Sequence, residues 1–95
     1  MSIRFSWDRQ KADRNRKEHE GVTFGEAATV FRDPLANIFD DDEHSAEEYR
    51  ELIIGYSHRN RLLIVSFSER ADVIRIISAR KADGDERKDY EQIGR

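Results

Sequence analysis

Of 95 residues, 39% are charged and 37% apolar, so the chain can build one domain with a small core. It has no cysteine, which excludes disulfides, thiolate zinc sites and cysteine nucleophiles, and the polar start Met1-Ser2-Ile3-Arg4-Phe5 and the lack of an apolar run of about 18 residues argue against secretion and membrane insertion, leaving the cytoplasm as the expected compartment. The net charge of −3 speaks against a generically basic nucleic-acid binder, yet residues 1–19 hold six Lys/Arg against three acids, residues 33–51 eight acids against Arg50, and residues 58–81 six Lys/Arg against two acids.

Ile3 and Phe5 alternate with polar neighbours, which predicts a very short edge strand or an N-terminal arm. Asp8 is a good N-cap, and Arg9 to Glu18 contains no Gly, Pro or β-branched residue, so a helix follows, ended by Gly21. Its apolar stripe is little more than Ala12, which predicts a solvated helix or one facing a charged partner. Thr23 with Glu26 forms a capping box for a second helix over 23–32, whose apolar face is Phe24, Ala27, Ala28, Val30 and Phe31. Asp33-Pro34 stops it, and Ala36 to Asp40 reads as a strand.

Asp40 to Glu48 is too polar for a core and predicts an exposed loop. Tyr49–Ser57, Leu62–Phe67 and Val73–Ala79 are β-branched-rich runs joined by His58–Arg61 and Ala71–Asp72, a meander of three antiparallel strands. Asp83 or Asp85 caps a last helix over Asp83–Gln92, with Tyr90 and Ile93 as its large apolar groups. The expected fold is α+β: two N-terminal helices packed on a three- to four-stranded antiparallel sheet with a short C-terminal helix.

Asp40, Asp41, Asp42, Glu43 and His44 are metal-ligand types, but consecutive residues do not converge on one ion, so no metal is expected. Dinucleotide, Walker and nucleophile-elbow motifs are absent, and no cofactor is predicted. Arg61, Arg70, Arg75, Arg80 and Lys81 lie along the strands or at their ends; singly each reads as a solubilising surface group. Together they suit a phosphodiester, because guanidinium groups grip phosphate bidentately. On a period of two, Arg75 shares a face with Val73, Ile77 and Ala79 and needs a carboxylate or phosphate partner, while Arg80 extends the opposite line of Ile74, Ile76 and Ser78. His19, at the end of the basic helix, is either a cap or a proton-transfer group. Trp7, Tyr56 and Tyr90 are core anchors or base-stacking groups.

The order Phe5-x-Trp7-Asp8-x-x-Lys11-x-x-x-Asn15, His19, Gly21-Val22-Thr23-Phe24-x-Glu26-Ala27, Phe31-x-Asp33-Pro34, His44-Ser45, Ile54-Gly55-x-Ser57, Arg61-Leu62-Leu63, Glu69-Arg70 and Ile74-Arg75-Ile76-Ile77-Ser78-Ala79-Arg80-Lys81-Ala82 resembles the BrnT toxins over residues 5–90. Glu20, standing between His19 and Gly21, departs from the usual Lys-His-Gly of that family, and Lys17 is displaced by one position. The resemblance implies a RelE-like ribonuclease of a type II toxin-antitoxin pair that cuts RNA without metal and inhibits translation and growth. It also implies a BrnA-like ribbon-helix-helix antitoxin, a heterotetramer or larger complex with it, and contact with operator DNA only through that partner. The alternative is a non-catalytic module that binds the antitoxin and acts as co-repressor.

On this reading His19, Arg75 and Arg80 are catalytic, with Glu69 as the competing base, and Lys11, Lys17, Arg61, Arg70, Lys81, Trp7 and Tyr90 bind RNA. An acidic or amphipathic antitoxin segment is expected over the basic first helix and the strands around Arg70 to Lys81. The acidic loop is expected to be mobile and outside the active site, at the sheet end away from Arg80 or bridged to the basic helix.

Overall fold

A computed structural model describes residues 3–44 and 48–93. Its elements run β1 (Arg4–Ser6), α1 (Arg9–Glu18), α2 (Phe24–Thr29, continued by a 3₁₀ turn at Val30–Arg32), β2 (Asn37–Asp40), a 3₁₀ turn at Asp42–His44, β3 (Glu51–Tyr56), β4 (Leu62–Arg70), β5 (Val73–Lys81) and α3 (Gly84–Ile93). The strands form one five-stranded sheet in the order β1-β5-β4-β3-β2. The fold is α+β as expected, but the sheet is mixed and has five strands, where the sequence predicts three or four antiparallel ones. β1 is the added strand, and it lies parallel to β5 through Arg4 to Ser6 against Val73 to Arg75. Its pairing is won by tertiary packing: Phe5 packs at a tilt against Phe31 at 5.3 Å, and Phe31 edge-to-face with Phe67 at 5.0 Å.

α1 is seated by one polar side chain instead of an apolar stripe. The buried Asn15 amide donates to Val22 O at 3.0 Å and to Ala79 O at 2.8 Å, and accepts from Ala79 N at 3.0 Å. Beyond the end of β1 it therefore serves the exposed edge of β5 as a missing strand would. α2 starts on Thr23, whose hydroxyl accepts from Glu26 N at 3.0 Å. The return half of the expected capping box is not made. Glu26 is 2% exposed and turns to Ser57 Oγ at 2.7 Å and to the Arg61 guanidinium, including Nε at 2.9 Å. A buried carboxylate is held better by a paired cation than by one backbone N–H.

The main core lies on the face toward α1 and α2, where Val22, Phe24, Ala27 and Val30 meet Ile53, Leu63, Val65, Phe67, Ile74, Ile76 and Ala79. α3 packs on the opposite face, with Tyr90 against Ile54 and Leu62. Asp33 ties α3 to the rest by accepting from Tyr90 OH at 3.0 Å, Tyr56 N at 2.8 Å and Leu35 N at 2.9 Å. Burial, then the Asp33 hydrogen bond, push the Tyr90 hydroxyl up to about 12. Gly55 makes this approach possible, since a Cβ there would stand 2.9 Å from Ala36 Cβ and 3.0 Å from Asp33 Oδ2.

Candidate functional site

The site is built by one irregularity in the β4–β5 ladder. Ser66 pairs Ser78 but Phe67 pairs Ile76, so Ile77 is an extra residue, a β-bulge. On a strict period of two, Arg75 and Arg80 point to opposite faces, as the sequence predicts. The bulge resets the alternation. Arg75 lies opposite Ser68 and Arg80 opposite Ile64, two β4 residues of the same parity, so both arginines emerge on the α3 face.

Two clefts adjoin there. One contains Ser6, Glu48, Ser68, Arg70 and Arg75; the other contains Asp41, Glu43, Arg50, Ser66, Ser78 and Arg80. The surface thus carries four guanidinium groups with serine hydroxyls between them. Each of the two central arginines is engaged by a carboxylate. Arg80 forms a two-pronged pair with Glu86 of α3, Nη1 to Oε1 and Nη2 to Oε2, both 2.7 Å. Glu86 also accepts from Asp83 N at 2.9 Å while Asp83 accepts from Glu86 N at 2.8 Å, a reciprocal capping box that starts α3. The Arg80 bond holds the Glu86 carboxyl down at about 2. Glu48 bonds Arg75, with Arg50 Nε at 3.8 Å, and the Arg75 hydrogen bond lowers its proton affinity against the opposing effect of desolvation.

The acidic loop is therefore not where the sequence expectation puts it. Glu48 meets Arg75, and Asp41 and Glu43 line the cleft of Arg80, instead of lying at the far sheet end or against the basic helix. Acids and arginines attract across the sheet face, and that attraction outweighs the reasoning from phosphate repulsion alone. Mobility of Ser45–Glu47 lies outside the described residues.

The remaining predicted site residues are divided by the sheet. His19 is the half-buried C-cap of α1, on the helix side. Lys11 and Lys17 are exposed on the same helix, Trp7 packs edge-on against Phe24 at 6.1 Å, and Lys81 lies 3.7 Å from Glu20. Arg61 is committed to Glu26, whose hydrogen bond raises the guanidinium pKa further, and so it is a structural cation. Glu69 has Ile74 as its ladder partner, on the helix side and away from Arg75 and Arg80. Tyr90 is 5% exposed and anchors α3 against Ile54 and Leu62. Arg70 alone of the expected RNA-binding set joins Arg75 and Arg80.

Sequence reasoning misses Glu48, Glu86, Arg50 and the placement of Ser6, Ser66, Ser68 and Ser78 in the clefts. The signal for Glu86 is the Asp83-x-x-Glu86 spacing; the others depend on the bulge and on chain-distant pairing. Among the described residues no three His, Asp or Glu side chains converge as a metal-ligand set, and no helix is long and apolar enough to cross a membrane.

The sequence matches, over residues 7–86, the family described as the ribonuclease toxin BrnT of type II toxin-antitoxin systems. In three dimensions the chain is similar to the crystal structure of the Brucella abortus ribonuclease toxin BrnT, with a TM-score of 0.66 and 22% identity over 86% of this chain and 99% of that one. At that identity the likeness speaks for the fold. No curated protein matches the sequence.

Proposed function

Because the chain belongs to the BrnT family of type II toxin-antitoxin ribonuclease toxins, we propose that it cleaves RNA, with the α3 face of the sheet as its active surface. One observation carries the placement: the β5 bulge brings Arg75 and Arg80 onto one face, beside Arg70 and Arg50. RNA cleavage needs a base on the 2′-hydroxyl, cationic stabilisation of the pentavalent phosphate and an acid for the leaving 5′-oxygen. The arginines supply the second requirement. The two-pronged Arg80–Glu86 pair displays the geometry in which the same guanidinium receives two phosphate oxygens. Glu48, beside Arg75, is the proposed acceptor of the 2′-proton, and the Arg75 hydrogen bond, which lowers its proton affinity, weakens it as a base. His19 takes part in proton transfer only if RNA wraps to the helix side.

On this proposal the chain works without metal in the cytoplasm, inhibits translation and growth, and shares descent with RelE-like ribonucleases. A BrnA-like antitoxin neutralises it, covering α1 and the strands from Arg70 to Lys81. A second reading has its own support. Arg75 and Arg80 are both already engaged by carboxylates and the chain is acidic, as suits a module that holds its antitoxin without cutting RNA. Incubating the purified chain with RNA in EDTA separates the two. Cleavage supports the first reading, and an intact substrate with retained antitoxin binding supports the second.

A further inference from the structure

β2 is an edge strand, and among the described residues nothing pairs with its outer side. Natural proteins protect such edges with charge inside the strand, with bulges or with a cover. Here Asp40 is the one charge inside the strand, and the middle of the edge is apolar on both faces: Ile38, on the helix side, is 55% exposed and Phe39, on the α3 side, 46%. With Leu35 and Tyr49 beside them, they make four of the six exposed large hydrophobic side chains among the described residues. On the α3 side Phe39 borders a groove of about 330 Å³ with Leu52, Ile54 and Ile64 along it and Glu86 and Asp89 on its helical wall. That volume takes one or two anchoring side chains.

The charge at the end of the edge is mostly acidic, with Arg50 as the neighbouring cation. Asp40 stands directly opposite Glu51 in the β2–β3 ladder, a like-charged pair that costs stability, and Asp42 and Glu43 follow at once. Burial, then Asp40 and Glu69, raise the Glu51 carboxyl, while Asp40 accepts from the Tyr49 hydroxyl.

We propose that the edge of β2 is a docking strand for an extended, basic segment of the antitoxin, which adds to the sheet, places an apolar side chain in the groove beside Phe39 and sets a Lys or Arg against Asp40 and Glu51. Strand addition satisfies the edge backbone, apolar anchors cover Ile38 and Phe39, and the cation relieves the like-charged pair. RNA is repelled by the same carboxylates. Pairing of β2 with a second copy of itself brings two acidic runs together, and is disfavoured for that reason. The inference rests on the reading of the chain as an antitoxin-bound toxin.

The test is amide hydrogen exchange on the full chain, free and in complex with its cognate antitoxin, together with Phe39→Glu and the double variant Asp40→Lys/Asp42→Lys. The account expects at least tenfold slower exchange at residues 37–40 in the complex. It also expects at least tenfold weaker antitoxin binding by both variants, whose exposed positions leave the free chain's melting temperature within a few degrees of the parent. Antitoxin binding with residues 37–40 unprotected overturns this inference and leaves the toxin reading standing. No antitoxin binding at all overturns both. Protection of residues 37–40 by RNA, or by self-association of the free chain, also overturns it.

Discussion

Asn15 directs its side-chain amide at the backbone of two other elements, and no other contact in α1 matches it. Asn15→Ala leaves Val22 O and the N–H and C=O of Ala79 buried without partners, so unfolding in denaturant should show a loss of about 2–4 kcal/mol. Asn15→Asp keeps the acceptor but sets a buried carboxylate against two carbonyl oxygens, and should cost at least as much. This role is partly legible in the sequence: Ala12, Asn15 and His19 lie on one helical stripe, but nothing local says that the amide meets a strand edge 64 residues away. Glu86 makes a different kind of contribution. Its folded-state pKa of about 2 lies below the ordinary 4.5, so its stabilisation is complete above pH 4.5 and disappears as pH falls toward 2. Both partners are partly exposed, which limits the effect to about 1 kcal/mol. Glu86→Gln should flatten the acid limb of the stability profile by that amount, measured by unfolding at several pH values between 2 and 7.

α1 ends with a Schellman-type bond from Gly21 N to Arg16 O at 2.9 Å, and the left-handed position that such an ending needs is filled by Glu20, at φ 53°. That is the residue by which this chain departs from the usual Lys-His-Gly run. Glu20→Gly should stabilise the fold by about 0.5–1 kcal/mol in denaturant melts, since it relieves the strained conformation and loses only an exposed ion pair with Lys81. Elements with strong local signals are legible in the sequence: the Asp8 cap gives α1 its bounds, and the apolar β-branched runs give β3, β4 and β5. β4 and β5 nevertheless run on through Ser68–Arg70 and Arg80–Lys81, polar residues that read as turn because a ladder partner is invisible in composition. β1 has only three residues, and no local signal sets its parallel pairing. The bulge at Ile77 has none either, and it alone places Arg75 with Arg80.

Across the described residues the sheet separates the cations that the sequence singles out into a helix-side group with Lys11, Lys17 and Lys81 and an α3-side group with Arg50, Arg70, Arg75 and Arg80. The proposed function sets RNA cleavage on the second, because its guanidinium groups line two clefts on one face together with serine hydroxyls, whereas the cations of the first are scattered over α1 and the end of β5. The acids on the same surface, Glu48 and Glu86, pair with Arg75 and Arg80, and on the proposed function phosphate would compete for those guanidinium groups. Both Arg75 and Arg80 are partly exposed, so truncating either should lower the melting temperature by only a few degrees, and on the proposed function should remove transition-state stabilisation of about 10²-fold or more. His19→Gln, on the other face, should leave the pH–rate profile unaltered. The most direct test is the rate of RNA cleavage by the purified chain in EDTA, measured side by side for the parent, Arg75→Ala and Arg80→Ala. The account predicts cleavage by the parent and a fall of at least about 100-fold in each folded variant; parental rates in both variants, with the fold intact, would contradict it.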